Sequence, residues 1–191
     1  MFKRILLLLT FSLAFVGCSE ESPKIIPSSE ASVEEVQNIT KEKLLIAINK
    51  VRSQQIDCHD GLGLVGPYNG LRWNNELFSS AYEHSTDLAL SDTFSHFGSG
   101  TEYDITGSNL NTKSSFVERI EANGYLNYKT IGENIAGGFS SIDETIIAWL
   151  KSPKHCANIM NSNFTDTGIA ISVNPDSEYK VYWSQNFGSK I

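Results

Sequence analysis

One short stretch constrains this chain more than any other: Ile131-Gly132-Glu133-Asn134-Ile135-Ala136-Gly137-Gly138, where a single carboxylate stands among apolar residues and glycines. A carboxylate taken out of water without a partner costs several kcal/mol or takes up a proton. Any fold that buries this segment must therefore bring polar groups to Glu133. Two histidines are candidates: His96, in Phe94-Ser95-His96-Phe97, and His155, in Ser152-Pro153-Lys154-His155-Cys156.

The chain begins with a basic Met1-Phe2-Lys3-Arg4 and an apolar run from Ile5 to Val16, too short to span a bilayer. This predicts an export signal over residues 1–17. Ala14-Phe15-Val16-Gly17-Cys18 resembles a bacterial lipobox, with Phe15 where leucine is commoner. The expectation is a mature form that begins at a lipidated Cys18 and is held to a membrane by acyl chains, at ~0.8 kcal/mol per buried methylene. Simple cleavage of the signal is the alternative. Residues 18–40 are rich in Ser, Glu and Pro and read as a flexible tether. Losing Lys3 and Arg4 leaves 13 basic against 22 acidic residues, a formal charge of −9. That balance argues against nucleic acid or an anionic lipid surface as the main partner.

Residues 41–191 suffice for one domain with a real core and contain no internal repeat. Leu44, Leu45, Ile48 and Val51 form a helical stripe with Thr40 as N-cap. A second helix opens at Trp73-Asn74, with Leu77, Ala81, His84 and Leu88 on one face. His84 there is either a packed histidine satisfied by one hydrogen bond or a ligand. Asp92 to Thr112 reads as a long functional loop carrying His96. Ser115-Phe-Val-Glu118 and Ser141-Ile-Asp-Glu144 are capping boxes, the first helix stopping at Gly124. Ser152 and Pro153 read as N-cap and first-turn proline of a short helix holding His155. Thr167–Val173 and Lys180–Phe187 alternate around Asn174-Pro175-Asp176, a terminal hairpin. The expected core includes Phe116, Ile120, Ile146, Trp149, Ile169 and Trp183. The pattern predicts an α+β fold.

Taken in order, Phe94-Ser95-His96, Ala122-Asn123-Gly124-Tyr125, Gly132-Glu133-Asn134-Ile135-Ala136, Trp149 to His155 and Tyr182-Trp183-Ser184-Gln185-Asn186-Phe187-Gly188 resemble the bacterial branch of the CAP superfamily (cysteine-rich secretory proteins, antigen 5, pathogenesis-related proteins) from about Leu44 onward. The resemblance implies a three-layer αβα sandwich. It also implies a cleft in which His96, Glu133 and His155 match the family's first histidine, its Gly-Glu-Asn glutamate and its second histidine. A second family acid is replaced by Ser152, which lowers the cleft's negative charge and removes a possible general base.

Such a His/Glu/His set can hold a divalent metal with an open position for water, zinc being favoured over calcium by its two imidazoles. Asn134, Gln185 and Ser152 are the expected polar neighbours. With Cys18 lipidated, Cys58 and Cys156 remain as an even pair in an exported protein and predict a disulfide. A Cys156–His155 nucleophile pair is the rival, disfavoured because helix neighbours point about 100° apart. The functional expectation is a membrane-anchored binding or interaction module of the bacterial cell envelope for a small-molecule, cell-wall or protein ligand. The alternative is a metal-dependent hydrolase acting on peptides or wall material.

Overall fold

The computed structural model describes Val36 and residues 38–191. The signal, Cys18 and nearly all of the tether lie outside the described residues. Thr40, in extended conformation, accepts a hydrogen bond from the Lys43 amide and opens α1 (Lys41–Arg52). The glycine-rich segment that follows holds two short paired strands, β1 (Ile56–Asp57) and β2 (Leu64–Val65), then β3 (Arg72–Trp73). Asn74 caps α2 (Asn75–Ser91) by accepting from the Leu77 amide. The loop expected from Asp92 onward contains a short helix, α3 (Ile105–Leu110). Ser115 and Glu118 form the expected capping box of α4 (Phe116–Ala122). The Glu133 motif lies in β4 (Tyr128–Gly137), a strand that the sequence pattern does not announce. Then come α5 (Ile142–Lys151), α6 (Pro153–Ile159), β5 (Asp166–Val173) and β6 (Val181–Lys190).

The main sheet has the order β3-β5-β6-β4, with β3 parallel to β5 and the other pairs antiparallel. Helices α2 and α4 cover one face, and α1, α5 and α6 the other. This is the expected α+β three-layer arrangement. Side chains alternate along each strand, so each strand feeds both layers. Toward α1, α5 and α6 point Ala136, Ile169, Trp183 and Phe187, packed with Ile48, Trp149 and Ile159. Toward α2 and α4 point Ile135 and Tyr182, packed with Leu88 and Ala89, beside a cluster of Leu77, Ile120 and Tyr125. Of the residues expected in the core, Ile120, Ile146, Trp149, Ile169 and Trp183 are buried. Phe116 corrects the list: it is only partly buried, at the margin of the Leu77 cluster.

Two close contacts fix the layers. A Cβ added at Gly168 of β5 would lie 2.1 Å from the Phe78 amide nitrogen, so α2 rests directly on the strand's backbone. The disulfide joins Cys58, just after β1, to Cys156 in α6 across 98 residues of chain, with Cα atoms 5.4 Å apart. Cys156 is therefore not a free nucleophile. Ser152 also departs from expectation: it occupies the N-cap position of α6 beside Pro153, but its side chain makes no capping hydrogen bond.

Gly168→Ala should lower stability by roughly 1–3 kcal/mol or more, because backbone rather than a yielding side chain meets the new methyl. Reduction of the Cys58–Cys156 bridge should cost ~2–4 kcal/mol. Urea unfolding midpoints, with and without reductant, measure both.

Candidate functional site

Glu133 projects from β4 toward α2 and α4, and its side chain is 1% exposed. Carboxylate Oε2 accepts from Arg119 Nη2 at 2.8 Å, and Oε1 accepts from His96 Nδ1 at 2.8 Å. Because an ionised carboxylate only accepts, His96 carries a proton on Nδ1, which leaves Nε2 as the nitrogen not committed to Glu133. The His96 side chain is 48% exposed. His155, third residue of α6, brings a second imidazole with ring centroids 6.2 Å apart. The structure thus brings together the three residues that the sequence singled out.

Arg119 is the member that the sequence reading missed. It is 1% exposed on α4, and besides Glu133 its Nη2 donates to the His96 carbonyl at 2.9 Å. Its Nη1 donates to the Ser114 carbonyl and hydroxyl. A signal for it existed: it precedes Ile120 inside the capping-box helix, where an arginine facing the core needs a buried acid. His84, fully buried on α2, is also here. Its Nε2 donates to the Ser95 carbonyl at 2.9 Å and lies 3.9 Å from Glu133 Oε1. It is a packed histidine with one hydrogen bond, and it supports the loop that carries His96.

That loop is ordered by carboxylates as well. Asp92 ends α2 in a left-handed turn, φ 52°. Asp104 accepts from the amides of Gly100, Gly107 and Ser114 and from the Ser114 hydroxyl, while Asp87 holds Ser99. Arg119 joins these to the cleft through Ser114.

Asn134, one residue after Glu133, points to the opposite face. It donates to the His155 carbonyl and accepts from Asn158, fixing α6 against β4. Gln185, its register partner on β6, shares that face and donates to Thr167. Since β4 is an edge strand, His96 from one layer and His155 from the other meet around that edge.

Burial pushes the Glu133 carboxyl up, but it is outweighed by the charges of His84, when protonated, and Arg119, and by the His96 hydrogen bond, which together hold it at about 2. Burial first of all holds His84 at about 4, so near neutrality this ring is uncharged and Arg119 is the counter-charge. Burial, with the His96 and Lys154 charges, lowers His155 to about 4, which makes it a neutral ligand or hydrogen-bonding group.

A three-ligand metal sphere does not fit these side chains. Both Glu133 oxygens are engaged, one of them by a guanidinium, and among the described residues no group of three or more His, Cys, Asp or Glu is placed to hold an ion. Two imidazoles on one tetrahedral zinc have ring centroids roughly 5–6 Å apart, given Zn–N bonds near 2 Å. The His96–His155 spacing is close to that range.

The buried charges predict an acid response. The unfolded chain protonates His84 near 6.5 and the fold only near 4, so stability falls as pH drops through that window. Glu133 ionises near 4.5 when unfolded and near 2 when folded, so its contribution is lost from pH 4.5 downward. Urea midpoints should decline from pH 7 to pH 4, and His84→Gln should flatten that upper part. Arg119→Ala, which strands a buried carboxylate, should cost ~3–5 kcal/mol at pH 7.

Comparison with known proteins gives this geometry its context. The model of the family described as CAP, the cysteine-rich secretory protein family, matches residues 45–187. An uncharacterized protein YkwD of Bacillus subtilis (strain 168) is 32% identical over 120 residues, 63% of this chain and 40% of its own. The uncharacterized membrane protein YlbC of the same organism is 24% identical over 165 residues, 86% of this chain and 38% of its own. This chain thus spans less than half the length of both. Among solved structures, an extracellular protein containing an SCP domain from Bacillus anthracis str. Ames has a TM-score of 0.58 at 22% identity, covering 83% of this chain and 44% of its own. An outer surface protein from Borrelia burgdorferi has a TM-score of 0.57 at 18% identity, covering 84% of this chain and 96% of its own. A family match over most of the chain, with a sandwich of the same fold, makes this protein a member of the cysteine-rich secretory protein (CAP) family.

Proposed function

We propose that this CAP domain is a recognition module of the bacterial cell envelope, tethered through a lipidated Cys18, which binds its ligand in the cleft between His96 and His155. One observation carries the reading: Glu133 is fully committed, to Arg119 and to His96, so it is a poor free base, and what remains beside it is the exposed His96 imidazole and the half-buried His155 ring. Replacement of the family's second acid by Ser152 points the same way. The descriptions of two solved relatives, one extracellular and one an outer surface protein, fit such a location.

A divalent ion, zinc first among them, would be held by His96 Nε2 and an imidazole nitrogen of His155, with Glu133 behind His96 fixing its tautomer. Bound there, the ion would offer open coordination positions to an oxygen or nitrogen of a ligand. The chain's own part is to keep His155 uncharged and His96 aimed. The hydrolase reading has one favourable feature: a carboxylate orienting an imidazole whose other nitrogen faces the cleft is the arrangement of a general base. Peptides or wall material would be its substrates.

Calorimetry with zinc should give binding that disappears in His96→Ala and His155→Ala and weakens ~10–100-fold in Glu133→Gln. Equal binding by all four proteins overturns the site. Turnover of peptidoglycan or peptides that falls ~100-fold or more in Glu133→Gln would favour the hydrolase instead. Intact mass of the native protein tests the anchor: an acylated form beginning at Cys18 is expected, and an unmodified N-terminus rejects it.

A further inference from the structure

The opposite edge of the sheet carries a separate feature. β3 pairs with β5 over only two residues, because Asn74 then turns the chain into α2. Within that short ladder, Arg72 N donates to Thr165 O and Asn74 N to Thr167 O, so the odd-numbered residues of β5 turn their backbone groups outward. The same alternation turns Ile169 and Ile171 outward. Among the described residues no strand pairs with them on that side.

A groove of about 390 Å³ lies there, and three consecutive β5 residues, Ile169, Ala170 and Ile171, line it. Successive strand side chains point to opposite faces, so a cavity touching all three runs along the strand's edge and not across one face. Phe78 and Tyr82 form one wall, their rings 6.1 Å apart and Tyr82 54% exposed, with the Trp73 ring 5.5 Å from Phe78 at the end of β3. Val36, Ile39 and Leu44 form the other.

We propose that this edge binds an extended apolar peptide segment of a partner protein, which adds as a strand beside β5 where β3 leaves off. The chemistry fits a strand better than a compact apolar molecule. Backbone donors and acceptors line the groove's floor, continuing a ladder already made by β3. Phe78 and Tyr82 of α2 lie on one side of the sheet plane and Val36, Ile39 and Leu44 on the other, where alternate side chains of an added strand project. The site is independent of the histidine cleft, which lies on the far edge along β4.

The test uses the full-length, isotope-labelled protein and an acetylated, amidated heptapeptide, Ser-Thr-Val-Ile-Val-Thr-Ser. Binding should slow amide exchange at Ile169 and Ile171 by tenfold or more. It should weaken at least tenfold when the peptide is N-methylated at its three apolar residues, and be lost in Tyr82→Glu with the urea unfolding midpoint unchanged. Equal binding of the N-methylated peptide would reduce the groove to an apolar pocket and overturn the strand. Failure of the heptapeptide to bind at millimolar concentration would overturn the proposal. So would Ile169 and Ile171 amides already protected in the free chain and released when residues 1–35 are removed, since the occupant would then be the chain's own leader.

Discussion

The Arg119–Glu133 ion pair is the interaction on which the site depends. A fully buried carboxylate is tolerable only with a fixed positive partner and its remaining lone pairs satisfied, and Arg119 with His96 meets both needs. The same guanidinium reaches the His96 carbonyl and Ser114, so one side chain ties α4, β4 and the histidine loop together. Breaking it would leave a charge in a low-dielectric layer and release the loop at once. Stability and site geometry are one property here.

That coupling sorts the roles within the cleft. Glu133 acts on the histidine, and Arg119 acts on Glu133; neither faces outward. At this edge lie an imidazole whose Nδ1 is held by Glu133 and a second one whose pKa is lowered by burial.

Much of this was legible in the sequence, and the misses have physical causes. Thr40, Asn74 and Ser115 declared their helices because capping is a local interaction, read from residues three apart. Glu133 announced that it needed partners, and His96 and His155 were recoverable because the motifs carrying them are distinctive. β4 was hidden because both its faces are buried: Glu133 and Ile135 on one side and Asn134 and Ala136 on the other give no polar-apolar alternation. Arg119 had a weaker mark, its place in the capping-box helix, because its acid lies 14 residues away and in another element. Ser152 had the residue type and position of a cap, yet its hydroxyl does not turn back to the helix.

The order of the sheet has a consequence for how it can form. The last strand in sequence, β6, lies between β5 and β4, and β4 pairs with nothing else in the sheet. A chain emerging from its N-terminus therefore carries β4 without a neighbour, and α2 and α4 without most of the surface they cover, until the final residues arrive. Little of the domain can lock into place beforehand. The sheet is thus completed by insertion of β6 between two strands already made, so its formation joins both of them in one step.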